Sequence, residues 1–188
     1  MFTTRKVPPD PEQRFEALYL DHYQAIATYV KRRTDSPDDI ADVIAETFTA
    51  AWRRLPEVPP GDEARLWLYG TARRVLANHH RAQERRSALA ARLRHEAATW
   101  AASDTDHTGD AAHQAFRRLS SDDRELLALV GWEGLKIAEI ATVLGTSRGA
   151  VRLRLHRARK RLARELAAAD LDLTTYGGRA VALAEGQR

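Results

Sequence analysis

The chain has 188 residues and a formal net charge of +4, with 30 Lys and Arg against 26 Asp and Glu. It contains no Cys, which excludes disulfides, thiolate catalysis and cysteine-based zinc sites. No apolar run reaches the length of a signal peptide or a membrane span, so the sequence predicts a soluble, cytoplasmic protein.

Apolar residues recur with helical spacing along most of the chain, and strand patterns are almost absent. A first helix is predicted over about 12–33, after a proline-rich lead-in. Ser36 and Pro37 predict the N-cap and the first turn of a second helix. The proline-rich run 55–62 ends that helix, and a third is predicted from about Glu63 into an arginine-rich segment.

A stretch of small, polar and acidic residues, 95–113, is typical of a linker between domains. Further helices are predicted after it, one of them capped by Ser120. We therefore predict an all-α fold of two small helical domains, 12–94 and 114–168, joined by a flexible linker. Residues 169–188 are predicted to form a weakly ordered tail.

The segment 136–164 has the pattern of a helix, a tight turn and a second helix. The first helix has an apolar stripe at spacing 0, 3, 4 and 7: Ile137, Ile140, Ala141 and Leu144. Gly145 stands where a left-handed helix end is needed, and Ser147 follows as the cap of the next helix. That helix has its own predicted buried stripe: Val151, Leu155, Ala158 and Leu162.

The second helix of this pair is strongly cationic. From Arg148 to Arg164 it carries seven Arg, one Lys and no acidic residue. Such a helix repels itself, whereas a solvated helix usually mixes charges to gain pairs one turn apart. The charge therefore favours a helix that enters the major groove of DNA. The alternatives are a merely solvated basic face and helix-turn-helix spacing that arises by chance in a helical bundle.

Several segments, in this order, resemble the extracytoplasmic-function sigma factors, promoter-recognition subunits of bacterial RNA polymerase in the sigma-70 family. Residues 39–52, DIADVIAETFTAAW, resemble the acidic helix of region two, and residues 64–75, ARLWLYGTARRV, are similar to the motif that follows it. The segments that resemble region four are 119–126, 133–135, 138–141 and 151–162. The resemblance implies two helical domains, region two and region four, on a flexible tether.

The resemblance also implies roles for the first domain. The acidic helix would dock on the clamp helices of the largest polymerase subunit through Asp39, Asp42, Glu46 and Phe48. A helix-capping role for Asp39 and core packing for Phe48 are the structural alternatives.

For the minus-ten promoter element, the resemblance implies contacts to unpaired DNA by a set of basic residues on the third helix: Arg73, Arg74, His80, Arg81, Arg85 and Arg86. The loop 55–63 occupies the position where the family captures a flipped base. Trp67 would suit base stacking, but its place in the apolar pattern favours the core.

In region four, the resemblance implies that the recognition helix reads the minus-thirty-five element as duplex. The residues assigned to base edges are Arg148, Arg152 and His156. Those assigned to phosphates are Arg159, Lys160 and Arg164. Another three basic residues lie off that face and are expected to be solvated or to face a partner: Arg154, Arg157 and Arg161.

The chain departs from the family pattern at three positions within the matching segments. Ala45 stands where Gln is common, Arg74 where Asn is common, and Leu153 where a small polar residue is usual. The change at Ala45 removes one potential hydrogen bond to the clamp, and that at Leu153 adds bulk beside the recognition face.

The predicted function is a sigma subunit that binds core polymerase and promoter DNA, is held by an anti-sigma factor, and is a monomer when free. The alternatives are a dimeric helix-turn-helix repressor or activator with palindromic operators, and a degenerate paralogue supported only by Ala45 and Arg74. No phosphate-binding loop, zinc motif or nucleophile elbow occurs, so neither an enzyme nor a metal or cofactor is predicted.

Overall fold

A computed structural model describes residues 10–34, 36–95 and 111–168, with side chains throughout except at 86–95 and 111–113. The described residues form seven α-helices and one 3-10 turn: α1 Pro11–Lys31, α2 Pro37–Arg53, the turn Leu55–Glu57, α3 Asp62–His95, α4 Ala111–Arg117, α5 Ser121–Gly131, α6 Ile137–Leu144 and α7 Arg148–Ala168. None of them lies in a β-strand, which confirms the all-α prediction.

The chain divides into two compact units, Met1–Thr99 and Trp100–Arg188. Helices α1 to α3 belong to the first unit and α4 to α7 to the second. The predicted tail, 169–188, and most of the predicted linker, 95–113, lie outside the described residues.

Helix α2 begins where the sequence predicts. The Ser36 side-chain oxygen accepts a hydrogen bond from the Asp39 backbone N–H at 3.3 Å, and Pro37 occupies the first turn. Asp38 and Asp39 lie in the same turn, where carboxylates favour the positive end of the helix dipole. The start of this helix therefore depends on local sequence alone.

In the first unit, all three helices pack against one another around an apolar core. Its largest fully buried side chains are Ile26, Tyr29, Val30, Val43 and Leu68. Thr47 is also completely buried, and its hydroxyl donates a 2.7 Å hydrogen bond to the backbone oxygen of Val43. Burial also lowers the pKa of His22, against the raising effect of the neighbouring Asp21.

Aromatic rings join α1 to α2. The rings of Phe15 and Trp52 lie 5.2 Å apart, and those of Tyr19 and Phe48 lie 4.7 Å apart. Phe48 is the buried member at 4% exposure, whereas Tyr19 is 38% and Trp52 44% exposed. Tyr19 and Trp52 therefore lie at the rim of the core, where a ring can contact both protein and solvent.

The second unit contains the predicted helix-turn-helix. Gly145 ends α6 with a backbone φ of 61°, and the Ser147 hydroxyl accepts a 3.1 Å hydrogen bond from the Ala150 N–H at the start of α7. The predicted stripe of α7 is confirmed, with Leu166 as a further member: Val151, Leu155, Ala158, Leu162 and Leu166 are all buried.

Two glycines in this motif give a matched stability test. A Cβ added at Gly145 meets no atom within 4 Å, so Gly145→Ala is penalised by its left-handed backbone alone, by about 1–2 kcal/mol. Gly149 is helical and a Cβ there meets only the Ser147 hydroxyl, at 3.9 Å, so Gly149→Ala should stabilise α7 by about 0.5–1 kcal/mol. Urea unfolding followed by circular dichroism measures both changes. Shifts of the same sign would contradict this account of the turn.

Candidate nucleic-acid and polymerase interfaces

Helix α7 presents its basic residues to solvent because its apolar stripe lies on the opposite side. Five of the residues that the sequence assigned to DNA are exposed: Arg148, Arg152, His156, Lys160 and Arg164. Helices α4, α5 and α6 all contact α7, so the protein covers one side and leaves the cationic side open. The described geometry matches the one that major-groove binding requires.

Arg159 is placed differently from the prediction. It was assigned to a phosphate, but it is half-buried and its Nε atom is shielded from solvent. Arg157 was expected to be solvated or to face a partner, and it is exposed. The two positions differ because residue 159 borders the buried stripe of α7, whereas residue 157 lies close to the opposite side of the helix.

The described contacts give Arg161 a role that the sequence did not suggest. Its Nε lies 2.6 Å from one carboxylate oxygen of Asp123, and a terminal N–H of its guanidinium donates to the other oxygen at 2.8 Å. Asp123, in the first turn of α5, is only 6% exposed, and its hydrogen bond raises the pKa of the Arg161 guanidinium. This two-point contact ties α7 to α5 and fixes the rotation of α7.

A second ion pair lies on the same side of the unit, between Arg118 and Glu165, with a nitrogen–oxygen distance of 3.9 Å. The Arg118 side chain is exposed, that of Glu165 is half-buried and the distance is long, so this pair contributes little stability. Together, the two pairs border a shallow groove beside the C-terminal half of α7, which Arg164 also lines.

In the first unit, the basic residues of α3 lie on two sides of the helix. Arg74, Arg81 and Arg85 are exposed and share one face by their spacing of 7 and 11 residues. His80 is exposed on a neighbouring face, and Arg73 is half-buried. The side chain of Arg86, which the sequence also assigned to DNA, lies outside the described part of the structure.

Two of the arginines on the α3 face are held by neighbours on the same helix. Arg74 donates to the Thr71 hydroxyl at 3.0 Å. Arg81 donates to the backbone oxygen of Ala77 at 3.1 Å and to the side-chain oxygen of Asn78 at 2.6 Å. These contacts direct the charges along the helix surface and leave them accessible.

The loop between α2 and α3 is fixed to its own unit. Leu55 and Val58 are buried, and the Arg14 guanidinium on α1 donates to the Val58 backbone oxygen at 2.6 Å. Trp67 follows at the start of α3 and is half-buried, with the Arg54 guanidinium 5.6 Å from its ring centre. Trp67 is thus neither fully in the core, as its pattern favoured, nor a free stacking platform.

The acidic side of α2 is exposed at Asp42 and Glu46, and Asp39 is half-buried. Phe48 was assigned to polymerase binding with core packing as the alternative, and its burial favours the core, because a side chain at 4% exposure offers almost no surface to a partner. Glu46 also contacts α3, since its carboxylate lies 3.2 Å from the His79 Nε2.

The described residues contain no group of three or more His, Asp or Glu side chains that could hold a metal ion. None of the helices in the described part of the chain has an apolar stretch that would span a bilayer.

Comparison with known proteins assigns both units to one family. Residues 18–86 match the family model of sigma-70 region 2, and residues 109–162 match that of sigma-70 region 4. The ECF RNA polymerase sigma factor SigL of Mycobacterium tuberculosis is 31% identical over 148 residues, which cover 74% of this chain and 81% of SigL. The chain belongs to the extracytoplasmic-function sigma factors. The SigF sigma factor of Caulobacter vibrioides is 29% identical over 157 residues, covering 82% of this chain and 86% of SigF.

Solved structures share the fold of this sigma factor. The sigma factor RpoE of Bartonella quintana, solved with the anti-sigma factor NepR, superposes with a TM-score of 0.55 at 22% identity, covering 81% of this chain and 96% of RpoE. CnrH, solved with the cytosolic domain of CnrY, gives a TM-score of 0.57 at 24% identity, covering 84% of this chain and 95% of CnrH.

Family membership gives the two units their identity. Helices α1 to α3 form region two, and the helix-turn-helix of α6 and α7 lies within region four. Sigma factors are non-enzymatic transcription initiation factors that bind core RNA polymerase and direct it to promoters. The predicted family and the predicted role as a sigma factor are therefore confirmed.

The contact between Asp123 and Arg161 can be tested in this sigma factor by a double-mutant cycle. Asp123→Asn and Arg161→Gln should each lower the melting temperature, because each leaves the charge of the other side chain unpaired. The double variant should lose less than the sum of the two separate losses. Arg154→Gln makes the same kind of change at an exposed position of α7 and should leave the melting temperature nearly unchanged. Additive losses would show that the two side chains do not depend on each other.

Proposed function

We propose that this sigma factor uses three separate faces for initiation: the exposed side of α7 for the minus-thirty-five element, the basic face of α3 for the minus-ten element, and the acidic face of α2 for core polymerase. One observation carries the proposal, namely the cationic side of α7 turned outward from its buried stripe. We place region two at 12–94, the linker at 95–113 and region four at 114–168.

On α7, Arg148, Arg152 and His156 are proposed to reach base edges. They lie in the first turns of the recognition helix, the part that enters a major groove most deeply. Lys160 and Arg164 follow further along the exposed side and suit phosphates. Arg157 joins this set because it is exposed, whereas Arg159, half-buried, contributes mainly to the position of the helix.

On α3, Arg74, Arg81 and Arg85 are proposed to hold the DNA backbone near the minus-ten element. Their shared face and exposure support this role, because a row of arginines attracts single-stranded DNA through its phosphates. His80 and Arg73 flank the row. Arg86, one residue beyond Arg85, extends the same basic segment in sequence.

On α2, Asp42 and Glu46 are proposed to oppose basic residues of the polymerase clamp. Both are exposed, and no basic residue lies between them in the sequence of α2. Asp39 contributes mainly to the helix start, because its carboxylate lies in the first turn of α2. Phe48 supports this face from inside by packing on the Tyr19 and Tyr23 rings.

We further propose that an anti-sigma protein controls this chain in the cytoplasm. One solved structure with this fold holds such a partner, since the sigma factor RpoE of Bartonella quintana is bound to the anti-sigma factor NepR. The proposed polymerase and DNA faces are the surfaces that such a partner would need to cover. The chain is proposed to act without enzymatic activity, metal or cofactor, and to be a monomer when free.

Run-off transcription tests the function directly. The purified chain is mixed with core RNA polymerase from its host bacterium and a library of genomic promoter fragments. We expect specific transcripts only when both proteins are present, and a monomer in size-exclusion chromatography. A stable dimer that binds palindromic DNA without polymerase, together with no specific transcript, would instead identify a helix-turn-helix repressor or activator.

Substitutions on α7 separate base contacts from phosphate contacts. Arg152→Ala should lose discrimination at one position of the minus-thirty-five element, by about 1–3 kcal/mol, because a bidentate contact to guanine is lost. Lys160→Ala is the matched control. It should weaken binding about equally on all sequences, and the slope of log binding constant against log salt concentration should fall in magnitude by about one. Competition between promoter variants at two salt concentrations measures both effects. A uniform loss for Arg152→Ala would assign that residue to a phosphate.

A further inference from the structure

One side chain on the outward side of α7 does not fit an electrostatic role. Leu153 is 51% exposed, whereas the other large apolar residues of α7 are buried: Val151, Leu155, Leu162 and Leu166. An isolated exposed leucine is common on protein surfaces and by itself carries no meaning. Its position and its surroundings make this one informative.

Leu153 lies at the point of α7 farthest from the core. At about 100° per residue, it is roughly 180° from the mean direction of the buried stripe. It therefore contributes nothing to packing within the unit, and it lies at the centre of the surface proposed to enter the major groove. Arg152, His156 and Arg157 are exposed around it.

Gly149 leaves Leu153 uncovered on the side that approaches DNA. Side chains of a helix lean toward its N-terminus, so Leu153 extends over the position one turn earlier, which is residue 149. Glycine weakens a helix, yet the protein itself does not require it there, because a Cβ would meet only the Ser147 hydroxyl at 3.9 Å. The first turns of α7 thus have no side chain at residue 149 that would cover Leu153, and Leu153 is the apolar side chain at the centre of this surface.

The charges around Leu153 favour a nucleic acid over a protein as its partner. Arg152, Arg154 and Arg157 surround it, and no other large apolar residue of the described part of α7 is exposed. An apolar protein contact usually needs a cluster of large apolar or aromatic residues. In the major groove, by contrast, the apolar feature is the C5-methyl group of thymine, which lies among phosphates and polar base edges.

We propose that Leu153 is a specificity-determining residue that contacts the C5-methyl group of one thymine in the minus-thirty-five element. This inference rests on the proposed function of α7 as the recognition helix. The contact is apolar, and it distinguishes thymine from cytosine and from uracil, both of which lack the methyl group. The arginines around Leu153 bring the helix into the groove, and the leucine then selects the base.

Deoxyuridine substitution tests the proposal, because it removes the methyl group and leaves the base pair. The minus-thirty-five element is first selected from a randomised promoter library by run-off transcription with the holoenzyme. Each of its thymines, on either strand, is then replaced singly by deoxyuridine. With the natural chain, one of these replacements should reduce the affinity of the promoter for the holoenzyme, measured by competition, about fourfold. This is the factor expected for burial of one methyl group.

Two variants complete the design. Leu153→Ala should lose the preference for thymine over uracil at that one position and keep all other preferences. Leu20→Ala is the matched control, since Leu20 is a leucine on α1 with 69% exposure, and it should keep the full preference. Melting temperatures of both variants should equal that of the natural chain, because neither side chain is in the core.

Three results would overturn the assignment: no thymine at which the natural chain responds to deoxyuridine, an unchanged response in Leu153→Ala, or weaker binding of Leu153→Ala to core polymerase in the absence of DNA. The last result would identify Leu153 as a protein contact. If the natural holoenzyme yields no specific transcript, the sigma function itself fails and the inference fails with it. If transcripts appear without a thymine response, only the role of Leu153 is lost.

Discussion

The function of region four depends on one constraint, the burial of a single apolar stripe along α7. Val151 and Ala158 are completely buried, and Leu155, Leu162 and Leu166 continue the same side of the helix. Because this side is fixed against its neighbours, the remaining circumference must face outward, and that is where the arginines lie. The segment 148–164, with seven Arg, one Lys and no acidic residue, would destabilise an isolated helix. Tertiary packing holds the helix in spite of that repulsion and displays the charge to a polyanion.

The pair of Asp123 and Arg161 adds a rotational limit to this packing. An apolar stripe tolerates small rotations, because contacts between methyl groups are not directional. A two-point contact between guanidinium and carboxylate is directional, so it sets which residues of α7 lie at the centre of the outward side. Arg161 is thereby used within the protein and Arg159 is half-buried, whereas the other five arginines of α7 are exposed. The position of Leu153 opposite the stripe follows from the same geometry.

Region two solves a different problem, since its two proposed faces lie on adjacent helices. Aromatic rings on α1 and α2 hold the acidic helix, and Glu46 and His79 link it to the basic helix α3. The contact from Arg14 to Val58 fixes the connecting loop on the same body. A partner that binds the acidic face therefore meets a helix whose position relative to the basic face is already set, which lowers the entropic cost of joint recognition.

The sequence by itself determined the helices, their caps and the helix-turn-helix, because these depend on neighbours in the chain. Ser36, Gly145 and Ser147 act within one turn of their own position, and the stripe of α7 follows from its periodicity. The family resemblance implied which helices carry the proposed functional faces. Tertiary structure alone decided that Arg161 pairs with Asp123 and that Arg159 is half-buried. These outcomes depend on residues far apart in the chain and on the rotation of one helix against another, which periodicity does not specify.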